Sequence, residues 1–200
     1  ATFEGFARRG LGAEETAGLL RDSVALARRA AAEVDGPRWV AASVGPYGAM
    51  LADGSEYRGR YGLPPHALES FHRSRIEVLA DAGADVLAVE TIPDVEEAEA
   101  VLRVVAGSGV PMWLSYSARG TRTCAGQPLG EAFEAVRGVA EVVLTGGGAR
   151  NPTLVRRIRG LDGPGTVWAP EFRRDIEDAV AGAVAVTAQH RLVVTEGNYL

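Results

Sequence analysis

Apolar positions along this chain follow two rhythms that alternate. Across residues 13–34, Leu19, Leu20, Val24, Leu26 and Ala27 share one broad face, with Arg21, Asp22, Arg28 and Arg29 mostly outside it. That spacing predicts an amphipathic helix. Residues 39–44 form a short apolar run that stops at Gly45-Pro46, the pattern of a buried strand running into a loop. Helical spacing returns over 64–82, where Gly83 supplies a stop, and over 94–106, where Asp94 is placed to cap the first turn. Further helices are predicted over 129–136, 151–159 (with Pro152 in the first turn) and 172–183. The runs 85–89, 112–116, 141–145 and 191–195 read as strands.

Strand-helix alternation with near-continuous apolar strands predicts an α/β fold built on a parallel sheet. A doubly wound nucleotide-binding sheet would carry a glycine-rich loop after its first strand, and none is present. Polar and glycine residues instead follow several strand ends: Ser43-Val44-Gly45-Pro46, Glu90-Thr91, Ser115-Tyr116-Ser117 and Thr145-Gly146-Gly147. Sites assembled from many strand ends suit a (β/α) TIM-type barrel. Five or six strands fall short of the eight a full barrel has, so the expectation is a partial barrel.

Composition narrows the function. The 200 residues include 46% hydrophobic side chains, enough for a core. Arginine supplies all 21 basic groups against 26 acidic ones, for a net charge of −5. An acidic chain is a poor general nucleic-acid binder. With no lysine, neither a Walker-type phosphate loop nor a Schiff-base enzyme is available. No apolar run reaches the roughly 20 residues that span a bilayer, and residues 1–10 do not read as a signal peptide, so the expected setting is cytoplasmic, without a membrane partner. The single cysteine, Cys124, excludes an internal disulfide.

Several motifs together resemble the homocysteine S-methyltransferase family: Phe3-Glu4-Gly5-Phe6 followed by Arg9-Gly10-Leu11, Val40-Ala41-Ala42-Ser43-Val44-Gly45-Pro46-Tyr47-Gly48, and Leu51-Ala52-Asp53-Gly54-Ser55-Glu56-Tyr57. Ala84-Asp85-Val86-Leu87-Ala88-Val89-Glu90-Thr91-Ile92-Pro93, Trp113-Leu114-Ser115-Tyr116-Ser117 and Gly126-Gln127-Pro128-Leu129 continue it, in unbroken order to about Val136. The resemblance implies a (β/α) barrel that moves a methyl group from a sulfonium donor, S-methylmethionine or S-adenosylmethionine, to the thiol of homocysteine, giving methionine. It implies that Glu90 meets the substrate amino group, with Ser43, Gly45 and Ser115 around it. It also implies a zinc ion held by three cysteines, which lowers the thiol pKa. This chain lacks those cysteines, so neither zinc nor another cofactor is expected in it, and weak or absent activity is. The family's first strand, with its acidic and glycine residues, would precede Ala1.

The remainder resembles other families. Val142-Val143-Leu144-Thr145-Gly146-Gly147-Gly148-Ala149-Arg150-Asn151 is similar to the nucleotide-binding loop of FGGY sugar kinases over 142–160, with Gly146, Gly147 and Gly148 as the candidate nucleotide contacts. Residues 167–200, with Ala169-Pro170-Glu171-Phe172-Arg173-Arg174 and Leu192-Val193-Val194-Thr195-Glu196-Gly197-Asn198-Tyr199-Leu200, resemble uridine and pantothenate kinases. The expected division is therefore a methyltransferase-like segment, 1–138, and a kinase-like segment, 139–200, on the same sheet. The alternatives to methyl transfer are a small-molecule kinase fragment and a non-catalytic composite of family fragments. His66, His72 and His190 are too dispersed to be ligands and read as surface or helix residues. Cys124 reads as a passive loop thiol, Glu196 as a strand-end candidate base, and Arg156, Arg157 and Arg159 as a solvated helix face. Unpaired parallel edges leave homo-oligomers open.

Overall fold

A computed structural model of the chain describes residues 1–33, 35–36 and 38–137, together with the strand backbone at 141–146, 171–173 and 178–180. Helix α1 (Phe3–Ala7) starts at Thr2, whose hydroxyl accepts from the Gly5 amide, and leads into α2 (Ala13–Ala32). Glu15 reaches back to the Gly12 amide at 2.8 Å and closes the first turn of α2. The buried stripe of α2 is Thr16, Ala17, Leu20 and Val24. Leu19 and Leu26, expected on the apolar face, are exposed. Leu19 sits about 100° round the helix from Leu20, beyond the reach of the sheet.

The strands β1 (Ala41–Val44), β2 (Val86–Ile92), β3 (Met112–Arg119) and β5 (Glu141–Gly146) run parallel, each beside the next. A short β4 (Arg122–Thr123) turns back antiparallel on the end of β3. Between β1 and β2 lie α3 (Tyr47–Leu51), a 3-10 turn at Ser55–Tyr57 and α4 (Pro65–Asp81). Helix α5 (Val95–Val105) follows β2 and α6 (Leu129–Ala135) follows β4. The expected elements of this region are present, with ends displaced by one to three residues. Two of these shifts matter for the site: β1 begins later than its apolar run, leaving Trp39 exposed, and β2 continues through Glu90 to Ile92.

Residues 171–173 and 178–180 depart from expectation. Instead of a helix from 172, β6 (Glu171–Arg173) and β7 (Asp178–Val180) pair antiparallel, Phe172 opposite Ala179. Glu171–Arg173 and Asp178–Val180 satisfy one another's backbone groups over a short connection, and so short a stretch holds too few apolar positions to fix a helical period. The helix expected at 151–159 and the strand at 191–195 lie outside the described residues.

Strand order decides the architecture. The parallel strands follow sequence order without the reversal of a doubly wound sheet. Right-handed crossovers then put successive helices on one face. The main core is accordingly one-sided. Ala42, Val44, Leu87, Val89, Ile92, Met112, Leu114 and Tyr116 meet Leu20 and Val24 of α2, Ile76 and Leu79 of α4, Val101 of α5 and Phe133 of α6. The opposite strand face carries only a small buried cluster, Val86, Ala88 and Trp113.

Candidate substrate site

That second face holds the candidate residues. Ser43, Glu90 and Ser115 alternate with core positions on β1, β2 and β3, so strand period places them opposite the helices. Ser43 pairs with Ala88 in the register, one step from Glu90, and its hydroxyl donates to Glu90 Oε1. Trp113 and Ala88 lie beneath.

An irregularity in β2 shapes the rim. Val89 pairs with Leu114 but Ile92 with Tyr116, so β2 carries one extra residue there. Both Val89 and Ile92 stay in the helix-side core, and the intervening Glu90 and Thr91 are both half-buried. Thr91 adopts φ 63°, a left-handed backbone unusual for a β-branched residue. Its amide donates to Ser115 Oγ at 3.2 Å. The bulge thus fixes Glu90 two residues before the end of β2 and ties β2 to β3 through Ser115.

Loops behind the rim converge on Asp94. This buried carboxylate caps α5 at the Glu96 amide and accepts from the Arg60 amide at 2.8 Å and from Gln127 Nε2 at 2.7 Å. Three segments, around 60, 94 and 127, are therefore held by one side chain. Their approach needs Gly59: it has φ +65°, and a Cβ there would stand 3.0 Å from both Asp94 and Ala125.

A buried polar chain lies under the loop after β1, and sequence reading missed it. Arg75 Nη2 donates to the Gly45 carbonyl and to His72 Nδ1, each at 2.8 Å. His72 Nε2 lies 2.9 Å from Glu97 Oε1. Glu97 also accepts from the Tyr47 amide at 2.5 Å and from the Tyr61 hydroxyl at 3.2 Å. His72 and Glu97 are fully buried. Burial first, then the Arg75 charge, pushes the His72 imidazole below its usual range, against the opposing pull of Glu97. Burial lowers the Arg75 guanidinium to about 10, and burial and Glu97 raise the Tyr61 phenol. His72 is therefore a helix residue, as one of the expectations had it, but buried in a polar network and not at the surface. The available signal was a helix carrying His72 and Arg75 three apart, with a Glu one turn into the next helix. Gly45, expected at the substrate, has its carbonyl engaged by Arg75.

The homocysteine S-methyltransferase family model matches residues 1–158. The chain belongs to that family. A homocysteine S-methyltransferase of Escherichia coli is 44% identical over 154 residues, which cover 73% of this chain and 50% of the relative. A selenocysteine Se-methyltransferase of Brassica oleracea is 37% identical over 180 residues, 80% of this chain and 51% of the relative. The metallated crystal form of the E. coli homocysteine methyltransferase MmuM superimposes with a TM-score of 0.74 at 37% identity, covering 84% of this chain and 63% of that one. The chain thus spans about half the length of the curated relatives it matches. The family match runs past Val136 and takes in 142–151, the stretch that resembles a sugar-kinase loop. Nothing in these comparisons supports the kinase-like segments. Of the glycines in that loop, Gly146 ends β5, while Gly147 and Gly148 lie outside the described residues, as do His190, Glu196 and the arginines at 156, 157 and 159.

The zinc implied by the family does not fit the described residues, where no three His, Cys, Asp or Glu side chains converge. Cys124 is half-buried, and burial pushes its thiol up, away from the thiolate a zinc ligand requires. His66 is exposed. No described helix is long and apolar enough to cross a membrane.

Proposed function

We propose that the Ser43–Glu90–Ser115 face binds the amino-acid end of homocysteine. The protein to which this face belongs transfers a methyl group from a sulfonium donor, S-methylmethionine or S-adenosylmethionine, to the homocysteine sulfur. In that step the sulfur–methyl bond of the donor breaks as a new one forms to homocysteine. The donor leaves as a neutral thioether, the thiol proton is released, and methionine results. On this reading the four parallel strands are an arc of a (β/α) barrel, and the rim is its C-terminal mouth, where such barrels bind substrate.

The observation that carries the reading is Glu90 itself. It is a half-buried carboxylate near the end of β2, oriented by the Ser43 hydroxyl on the face opposite the described helices, in a chain of this family. A carboxylate there suits a substrate ammonium, and charge-assisted hydrogen bonds of this kind contribute about 1.5–3 kcal/mol. The described residues orient the amino acid but hold no group that activates its sulfur. A free thiol titrates near 8.5, so only a few per cent is thiolate at neutral pH.

Calorimetry with L-homocysteine tests the reading. Wild-type protein binds it, and Glu90→Gln loses about ten- to a hundredfold in affinity, the equivalent of 1.5–3 kcal/mol. Methionine formation by this chain stays far below that of a full-length relative. Equal affinity in wild type and Glu90→Gln refutes the assignment.

A further inference from the structure

The chain Arg75–His72–Glu97 reaches both ends of one turn. Arg75, on α4, holds the Gly45 carbonyl, and Glu97, on α5, holds the Tyr47 amide. That amide is one of the orphan donors at the start of α3, so Glu97 supplies it with an acceptor from another element. Gly45 lies two residues after Ser43, and α5 begins five residues after Glu90. The two strands that deliver Ser43 and Glu90 are therefore joined from below by this network.

His72 is its central link, and its protonation state is set by its neighbours. A guanidinium only donates, so Nδ1 must accept from Arg75. The ring proton is then on Nε2, where it is donated to Glu97. A second proton would sit on Nδ1, against the N–H of Arg75, and would cancel that bond. Every packed element contributes charge or polarity here: Arg75 from α4, Glu97 from α5, Glu4 from α1, Tyr61 from the loop before α4, and the Ala1 carbonyl, which accepts from Arg75 Nη1. Rings enclose the link, with Phe71 edge-on to His72 at 4.9 Å and Tyr47 against Phe71 at 4.9 Å.

We infer that neutral His72 is a positioning residue that holds the Gly45–Tyr47 turn beneath the Ser43–Glu90 face, and that a second proton on its ring releases the turn and weakens amino-acid binding. The ligand part rests on the homocysteine reading of that face; the turn itself does not. The sign follows from the neutral state. Burial keeps the ring neutral in the closed turn, and the opened turn takes the proton as pH falls below about 6.5, the ordinary histidine value, so the turn is held above that pH and loosens below it.

Glutamine at 72 carries one acceptor and one donor and does not titrate, so it reproduces both bonds without the switch. The test is amide hydrogen exchange by NMR on the whole chain, corrected for intrinsic exchange, at about pH 7.5 and 5.5. In wild type the Tyr47 protection factor falls about tenfold over this range. In His72→Gln, Tyr47 stays protected at both pH values, and in His72→Ala it is unprotected at both. L-homocysteine affinity follows the same pattern in the same samples. A Tyr47 response to pH that His72→Gln shares with wild type overturns the assignment. So does a homocysteine affinity that ignores the state of the turn. Tyr47 behaviour as expected, with no homocysteine bound at any pH, supports the switch in the turn and removes the methyltransferase reading instead.

Discussion

Thr91 holds a conformation that its side chain resists. For an L-residue with a Cβ, the left-handed region costs roughly 1–2 kcal/mol, and branching at Cβ makes it worse. The bulge persists because its surroundings fix it: Ile92 is anchored in the core, and Ser115 accepts the Thr91 amide. Strain of this sort collects at functional positions, and here it adjoins Glu90. Thr91→Gly and Thr91→Val both delete the hydroxyl, but only glycine relaxes the backbone. The glycine variant is expected to be about 1 kcal/mol more stable than the valine variant in urea denaturation. It is also expected to bind homocysteine more weakly than wild type, since Glu90 loses its fixed direction. Equal stability of the two variants would show that the φ 63° backbone carries no strain.

Among the elements, the start of α5 has the most at stake. Asp94 is both its N-cap and the acceptor for the Arg60 amide and the Gln127 side chain. Loss of a cap costs about 1 kcal/mol, and leaving two buried donors unsatisfied adds to it. Asp94→Ala is expected to lose about 2–4 kcal/mol in chemical denaturation, and Asp94→Asn, which keeps one acceptor oxygen, less. A loss below about 0.5 kcal/mol for the alanine variant would mean the three loops hold without this side chain. The turn into α3 is equally intolerant, for a steric reason. A Cβ on Gly48 would stand 2.3 Å from the Glu56 amide nitrogen, so the chain can fold back over α3 only at a glycine.

At the scale of the molecule, acid should act in two stages. His72 is held below its usual range, so the unfolded chain takes its proton first; stability is full above about pH 6.5 and falls as pH drops below it. Asp85 acts in the same sense at lower pH. Its hydrogen bond from Arg28, and then that from the Val40 amide, hold its carboxyl below the usual range. That contribution is present above about pH 4 and is lost as pH falls through the folded value. Asp85 joins α2 to the start of β1, so the second stage frees the helix layer from the sheet edge. Thermal melts across this range should therefore show a first decline beginning near neutrality, absent in His72→Gln, and a second below about pH 4, absent in Asp85→Asn. A single decline shared by all three proteins would refute the two-stage account.

The sequence by itself determined the alternation of strands and helices through residue 146, because apolar period and Gly-Pro punctuation are local signals. It also placed Asp94 as a cap and put Glu90, Ser43 and Ser115 on one face, because strand period fixes which side chains share a face; β2 and β3 run on past Glu90 and Ser115. Only the tertiary structure decided the rest. The extra residue in β2 is visible only when Ile92 is seen opposite Tyr116. Leu19 and Leu26 fall outside the core because the sheet covers a narrower stripe of α2 than its apolar positions would allow. Residues 171–173 and 178–180 pair as strands because each has its partner close in sequence, a choice that a short apolar pattern leaves undetermined. His72, Arg75 and Glu97 read as scattered polar residues on two helices. They become one buried network only where α4 packs on α5 over the Gly45–Tyr47 turn, since hydrogen bonds between distant segments leave no period in the sequence.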